Sequence, residues 1–266
     1  MSEFKGKVVV ITGGNGGIGK EVARRFVGFG SKVYILGRNE ETLKEVAAEL
    51  MGGEGEGEGE INWKIADVSD VEACRKTIEE IGAEAGQIDV LVNSAGKYVE
   101  TTIEEIEQKD FDESFNINVR GTYFMCKFAK PYLEKTKGCI VNVGSTAGIV
   151  GFDENSLYCA TKGALNAFTR AVAIEYAKYG IRVNIVCPDM VKTKMLDIGF
   201  KRSGMESRED YNNFRLKQYP QADEDKRFVL PEEVAECVVF LASNEKVWAI
   251  TGTALTIDLG MTAGFF

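Results

Sequence analysis

Short apolar runs rich in β-branched residues alternate along this chain with stretches of helical period, and that alternation leaves few folds open. The runs are KVVVIT at 7–12, KVYILG at 32–37, INWKIADV at 61–68, IDVLVNSAG at 88–96, CIVNVGS at 139–145, IRVNIVC at 181–187 and GTALTIDLG at 252–260. Strands joined through helices run parallel, because each crossover returns the chain to the edge it started from. Seven such strands predict an α/β fold: one doubly wound parallel sheet with helices on both faces, in a single domain spanning 1–266. Ligands of such sheets collect at the carboxyl ends of the strands.

The first of those ends carries GGNGGIG, followed by the helical pattern KEVARRFVGFG. Two spacings fit, Gly14-x-Gly16-x-x-Gly19 and the wider Gly13-x-x-x-Gly17-x-Gly19. Either lets backbone N–H groups and a helix N-terminus approach a pyrophosphate, and the strand before and helix after favour a nucleotide over a plain tight turn. The second strand ends at Gly37-Arg38 with no acid for a ribose 2′-hydroxyl. A guanidinium there suits a 2′-phosphate, hence NADP(H) in preference to NAD(H); an arginine solvated at a helix start is the plain alternative. Asn39 caps the helix EETLKEVAAEL. Asp67, at the third strand's end, serves either an adenine amino group or the cap of a helix opening at Ser69, and the small residues from Asn93 to Gly96 let backbone pass close to a cofactor.

Proton chemistry points to Ser145–Lys162, STAGIVGFDENSLYCATK. On a helix Tyr158 and Lys162 share a face, so an ammonium lies beside a phenol and favours its ionised form. The same spacing recurs at Tyr123 and Lys127, in an apolar run that reads as buried helix, so core packing is expected there. Only Tyr158 follows a strand whose tip is Ser145. The chain has no histidine, which removes Ser-His-Asp and Cys-His nucleophiles and the usual histidine-bearing zinc sites. Tyr, Lys, Asp and Glu remain as proton carriers. Asn118 sits inside the helical stretch 103–135, where asparagine is locally unfavourable; it either bonds within the helices or distorts its own helix to serve the site.

A net charge of −9 with scattered cations argues against nucleic acid or an anionic membrane as partner. No run of eighteen apolar residues and no signal-peptide core appear, so a soluble, cytoplasmic protein is expected. The six cysteines lack metal-ligand spacing and read as reduced core thiols; no metal site is expected. The tract 52–60, GGEGEGEGE, reads as a flexible surface loop, and the aperiodic stretch from about 190 to 228 as a mobile helical lid over a substrate.

These residues resemble the short-chain dehydrogenase/reductase family over nearly the whole chain. The resemblance rests on Thr12-Gly13-x-x-x-Gly17-Ile18-Gly19, Asp67-Val68, Asn93-Ser94-Ala95-Gly96 and Tyr158-x-x-x-Lys162. It implies a Rossmann-type fold and hydride transfer between a nicotinamide and a carbonyl or alcohol carbon. The implied tetrad is Asn118, Ser145, Tyr158 and Lys162. Tyr158 would exchange the proton, Ser145 orient the substrate oxygen, Lys162 hold the nicotinamide ribose and lower the tyrosine pKa, and Asn118 support a proton relay. Cofactor contacts are implied for Gly13, Asn15, Gly17, Ile18, Gly19, Arg38, Asp67, Val68, Asn93, Ala95, Gly96, Tyr158, Lys162, Pro188, Val191 and Thr193. Asp189 stands where the family usually has glycine after Pro188, adding a side chain and a charge near the expected nicotinamide; Asp258-Leu259-Gly260 departs from a more usual Asp-Gly-Gly. A homotetramer or dimer through the helices near 103–135 and 156–179 is implied as well, and the terminal Phe265 and Phe266 are expected at an interface or a pocket.

The candidate substrate contacts are Ser145, Tyr158, Val150, Phe152, Met195 and Leu196, with Tyr98, Ile149, Leu157, Phe200 and Tyr211 around them. Their apolar character favours a bulky ketone or secondary alcohol such as a hydroxysteroid or bile acid. A 3-oxoacyl-thioester reductase is the second enzymatic reading, with Lys127, Lys130, Lys135 and Lys137 as the basic patch for an acidic carrier. A non-catalytic dinucleotide sensor is the alternative of another class, and the intact tetrad argues against it.

Overall fold

Each strand of the computed structural model begins where an apolar run begins. The model describes residues 2–51, 59–217, 219–220 and 227–264. The strands are β1 (Val8–Thr12), β2 (Lys32–Gly37), β3 (Glu60–Ile65), β4 (Val90–Asn93), β5 (Cys139–Val143), β6 (Arg182–Pro188) and β7 (Ala254–Ile257). They form one parallel sheet in the order β3-β2-β1-β4-β5-β6-β7. All residues of β1, β4, β5 and β6 are buried, which is why these segments read as continuous apolar runs rather than as alternation.

Successive side chains of a strand point to opposite faces, so the sheet divides the core in two. Val9, Ile11, Val33, Ile35 and Val141 pack under α1 (Gly17–Gly28), α2 (Glu40–Met51) and α9 (Pro231–Ala242). Val10, Leu36, Leu91, Ile140 and Val183 pack under α3 (Val71–Ala85), α5 (Thr122–Thr136) and α6 (Ser156–Ala177). The short helices α4 (Gln108–Phe115), α7 (Leu196–Ser203), α8 (Arg208–Leu216) and α10 (Asn244–Val247) complete the α-helices of the described residues. The chain winds outward from β1 through β2 to β3 and returns to β4 on the other side of β1, which opens a crevice at the strand tips between β1 and β4.

Four local expectations change. The helix expected over 103–135 begins only at Gln108 and is interrupted by a π-helical stretch, Asn116–Gly121, because the Asn118 side chain is held outside the helix by Lys97 and Thr161. The helix after β3 opens at Val71 rather than at Ser69, and its cap is Asp70, whose carboxylate accepts from the N–H groups of Glu72 and Ala73. Tyr123 is 51% exposed rather than core, because its turn of α5 faces outward; its ring lies against Phe124 and Phe168. The loop expected over 52–60 ends one residue earlier, since Glu60 already pairs with Lys32 in the sheet. Residues 52–58 of that loop, residues 218 and 221–226 of the expected lid, and Phe265 and Phe266 lie outside the described residues.

Arg182, at the start of β6, is buried and donates to the carbonyls of Leu241 and Ala242 and to Asn244 Oδ1, satisfying the last turn of α9. Arg182→Ala would strand those buried acceptors. A loss on the order of 3 kcal/mol is expected, read as a lowered midpoint in urea unfolding.

Candidate active site

The glycine turn after β1 settles which spacing is used. Gly13 has φ +65° and a Cβ there would lie 2.9 Å from the Cα of Ala95; one at Gly19 would lie 2.4 Å from the Gly13 carbonyl oxygen. Gly16 has extended backbone and a Cβ would have no neighbour closer than 3.9 Å, so the wider spacing Gly13, Gly17, Gly19 is the one the fold requires. A Cβ at Gly17 would touch Thr193, which brings the segment after β6 against the turn. The N-terminus of α1 has no side-chain cap, so its N–H groups are left for a ligand. Thr12 Oγ1 accepts from the N–H groups of Ser94 and Ala95, each at 3.1 Å, and fixes the turn after β4 beside the turn after β1.

At the tip of β2, Arg38 is exposed on a groove shared with Asn39, Glu40, Glu41, Lys44 and Glu45. Asn15 reaches this end of the crevice, donating to Thr42 Oγ1 at 2.7 Å, while Asn39 Oδ1 accepts from the Thr42 N–H. Asp67 Oδ1 accepts from the Ser69 N–H and hydroxyl; Val68 is buried. Ile18 packs against the sheet face under α1, and Val191 is buried and bridges to Val229. Pro188 closes β6. The residues fit a dinucleotide: backbone where side chains would collide, a helix N-terminus for phosphate, and a free guanidinium at the far end.

Ser145 lies two residues beyond β5 and Tyr158 and Lys162 lie on the first turns of α6. Ser145 Oγ accepts from the Ala147 N–H, and its hydroxyl lies close enough to the Tyr158 phenol to act on its ionisation. Lys162 Nζ sits 5.5 Å from the Tyr158 ring centroid and donates to the Val143 carbonyl at 2.9 Å. Asn118 is fully buried; its amide donates to the Lys97 carbonyl and Thr161 Oγ1, and its oxygen accepts from the Lys97 N–H. A point beside Gly96 is 3.6 Å from Asn118 Oδ1 and 3.9 Å from Lys162 Nζ. The four residues singled out in the sequence therefore meet at one place.

Their electrostatics differ from expectation. Burial pushes the Tyr158 phenol well above its ordinary value, against a smaller opposing effect of the Ser145 hydrogen bond, and burial lowers Lys162 to about 8. Lysine lies beside tyrosine, but loss of water dominates both groups.

The surroundings of Tyr158 are more polar than the sequence suggested. The Tyr98 ring stands edge-on to Tyr158 with centroids 4.8 Å apart, and its hydroxyl donates to Glu100 Oε2 at 2.9 Å. Ile149, Val150 and Met195 are exposed, Phe152 and Phe200 partly buried, and Leu157, Leu196 and Tyr211 buried, Leu196 within a cluster with Leu216, Tyr219 and Phe228. Sequence reasoning missed Glu100, which no local pattern marks as a partner of Tyr98. Lys127, Lys130 and Lys135 lie over aromatic rings, and Lys130 also pairs with Glu134. Among the described residues no helix is long and apolar enough to cross a membrane and no cluster is set to hold a metal.

Comparison with known proteins agrees with this geometry. Residues 7–201 match the family model described as short chain dehydrogenase. The chain is 38% identical over 260 residues to meso-2,3-butanediol dehydrogenase of Serratia marcescens, covering 98% of this chain and 96% of that protein. It is 33% identical over 275 residues to 3beta-hydroxysteroid dehydrogenase of Mediterraneibacter gnavus, covering 98% and 97%. The structure of levodione reductase superposes with a TM-score of 0.91 at 28% identity, covering 98% of this chain and all of that one.

Because Lys162 titrates near 8 in the folded chain and near 10.5 when unfolded, the unfolded state binds more protons between these values. Its contribution to stability therefore rises from pH 8 towards 10, by at most about 1.4 kcal/mol per unit. Urea unfolding of the wild type against Lys162→Met should show the difference moving in favour of the wild type over that range; a flat difference would refute the lowered value.

Proposed function

The chain belongs to the short-chain dehydrogenase family, as an NAD(P)-dependent oxidoreductase acting on alcohols and ketones, and from this premise we propose an NADP(H)-linked dehydrogenase/reductase of secondary alcohols in which Asn118, Ser145, Tyr158 and Lys162 carry the proton chemistry. The observation that carries it is the Lys162 ammonium 5.5 Å from the Tyr158 ring centroid, with the Ser145 hydroxyl acting on the same phenol. Two oxygen-bound protons converge where a carbonyl oxygen would accept them.

The nicotinamide, when bound, supplies or accepts the hydride. In the reducing direction the Tyr158 hydroxyl gives its proton to the substrate oxygen, and the Ser145 hydroxyl holds that oxygen in place. Tyr158 is protonated at neutral pH, so it has the proton to give, while burial, which raises its pKa, makes the transfer depend on the charge beside it. Lys162, charged below about 8, offsets the phenolate left behind, and Asn118 holds the Lys97 backbone beside it. In oxidation the same groups act in reverse. Gly13, Gly17, Gly19, Ala95 and Gly96 would admit the dinucleotide, Asn93, Pro188, Val191 and Thr193 would shape the nicotinamide end, Asp67 and Val68 the adenine side, and Arg38 would pair with a 2′-phosphate.

Two readings of the substrate draw on separate observations. Tyr98 against Tyr158, with Glu100 accepting from its hydroxyl, favours a small hydroxylated alcohol or ketone, in the direction of the butanediol relative. Exposed Ile149, Val150 and Met195 suit a bulkier apolar one, such as a hydroxysteroid or bile acid, in the direction of the steroid relative. The outward aromatic face of α5 and α6, with Tyr123, Phe124 and Phe168 in contact and Ile174 79% exposed, supports a homo-oligomer, a dimer or tetramer.

Oxidation of NADPH and of NADH, followed by absorbance with hydroxyketones, diketones, steroid ketones and bile acid ketones, tests the reading. Tyr158→Phe is expected to lower kcat by about a thousandfold. Retained activity in that variant would overturn the assignment. Arg38→Ala is expected to lower the NADPH-to-NADH ratio of kcat/KM by about tenfold to a hundredfold, the size of a lost charge-assisted bond; an unchanged ratio would remove the NADP(H) preference.

A further inference from the structure

Tyr158 and Lys162 lie on α6 and Asn118 on the π-helical stretch, so the site needs something that holds the two elements in register. Thr161 is placed to do this. It is fully buried, and its hydroxyl has a partner on each side: Oγ1 donates to the Tyr158 carbonyl at 2.9 Å and accepts from the Asn118 amide at 3.1 Å. A hydroxyl has one proton. With that proton on the Tyr158 carbonyl, only lone pairs face Asn118, so the asparagine must present Nδ2 to them. The same Nδ2 donates to the Lys97 carbonyl at 2.9 Å, and Oδ1 accepts from the Lys97 N–H at 2.7 Å. Both demands agree on one orientation of the amide. They leave Oδ1 beside exposed Gly96, where a Cβ would lie 3.6 Å from Oδ1 and 3.9 Å from Lys162 Nζ.

A threonine that bonds the carbonyl three residues back is ordinary in a helix and adds little to its stability. The second bond is the unusual one, since it crosses to an element 43 residues earlier in the chain. Valine has nearly the same shape and would fill the same space, but it would leave one Asn118 N–H buried and dry. Packing therefore asks only for a β-branched side chain. The hydroxyl answers to Asn118.

We propose that Thr161 is a positioning residue of the reaction: by bonding the Tyr158 carbonyl and the Asn118 amide at once, it keeps Asn118 in register with the Tyr158 phenol and the Lys162 ammonium. This rests on the reductase reading of the preceding subsection. Thr161 exchanges no proton with the substrate, and the proton and hydride transfers stay with the groups named there.

The test follows NADPH oxidation with acetoin or a steroid ketone, whichever the wild type reduces faster, in Thr161→Val, Thr161→Ser, Asn118→Ala and the double variant Thr161→Val with Asn118→Ala. Thr161→Val is expected to lower kcat by about tenfold to a hundredfold, the scale of a small misplacement of reacting groups. KM for the ketone and the Kd of NADPH, read by fluorescence, should stay within about twofold, because binding is not what the bond secures. Thr161→Ser keeps the hydroxyl and should bring kcat back to within about threefold of the wild type. In the double variant Thr161→Val should add no loss to that of Asn118→Ala, since the hydroxyl then has no amide to hold. If the valine variant fails to fold, seen as lost NADPH binding, Thr161→Ala takes its place with the same expectations. An unchanged kcat with only a lowered urea midpoint, a serine variant as slow as the valine one, or losses that multiply in the double variant would each overturn the proposal and leave the reaction intact. Turnover that survives Tyr158→Phe would remove the reaction reading, and this inference with it.

Discussion

All seven strands run the same way, so every strand tip reaches the same edge of the sheet, and the site depends on the register that aligns those tips. Thr12 pairs with Asn93 and Asn93 with Asn142 across three adjacent strands. Asn93 donates to Asn142 Oδ1 and Asn142 to Thr169 Oγ1 on α6, both at 2.9 Å and fully buried. A slip of one residue would turn these side chains to the other face and leave amides dry among aliphatic neighbours. The chain of amides therefore does more than stabilise. It locks α6, and with it Tyr158 and Lys162, to the strands that carry the glycine turn and Ser145.

The π-helical stretch follows from the same economy of buried polar groups. A regular helix through Asn118 would keep its amide in competition with the backbone, which is why the residue is unfavourable there. Widening the turn frees the side chain to bond Lys97 and Thr161, three hydrogen bonds that offset the irregular ladder. The outcome ties the loop after β4 to the first turns of α6. Lys97 is held on its outer side by Asp110 and Glu113 of α4, so the residue before Tyr98 is fixed through both its backbone and its side chain.

What could be read from sequence was whatever depends on near neighbours in the chain. Strand runs, helix periods, the glycine turn and the Tyr158–Lys162 spacing are local patterns, and the structure brings all of them to the expected edge. The choice between Asp67 and Asp70 as cap was not legible, because either places a carboxylate near a helix start and only the backbone decides which N–H groups it meets. Nor was the outward face of Tyr123, since an apolar run on a helix does not say which side the sheet occupies. The direction of the Tyr158 shift was misjudged for a deeper reason: neighbour spacing reveals the lysine but not the loss of water around both groups, and burial is a property of the whole fold.

Asp189 marks a division of labour within the site. Its φ is not among the positive ones and its N–H donates to the Ile257 carbonyl, so nothing in the backbone demands the glycine that is usual there. Glycine at that point serves space rather than conformation. The dinucleotide end of the crevice is defined by missing side chains, at Gly13 and Gly19 above all, where any Cβ would meet backbone. At the Tyr158 end the reverse holds: the Tyr98 ring lies edge-on to Tyr158 and its hydroxyl donates to Glu100, so side chains fill the room. A surface defined by missing side chains recognises a ligand through its outline and its phosphates and is shared readily among related chains. One lined by polar side chains recognises hydrogen-bonding partners.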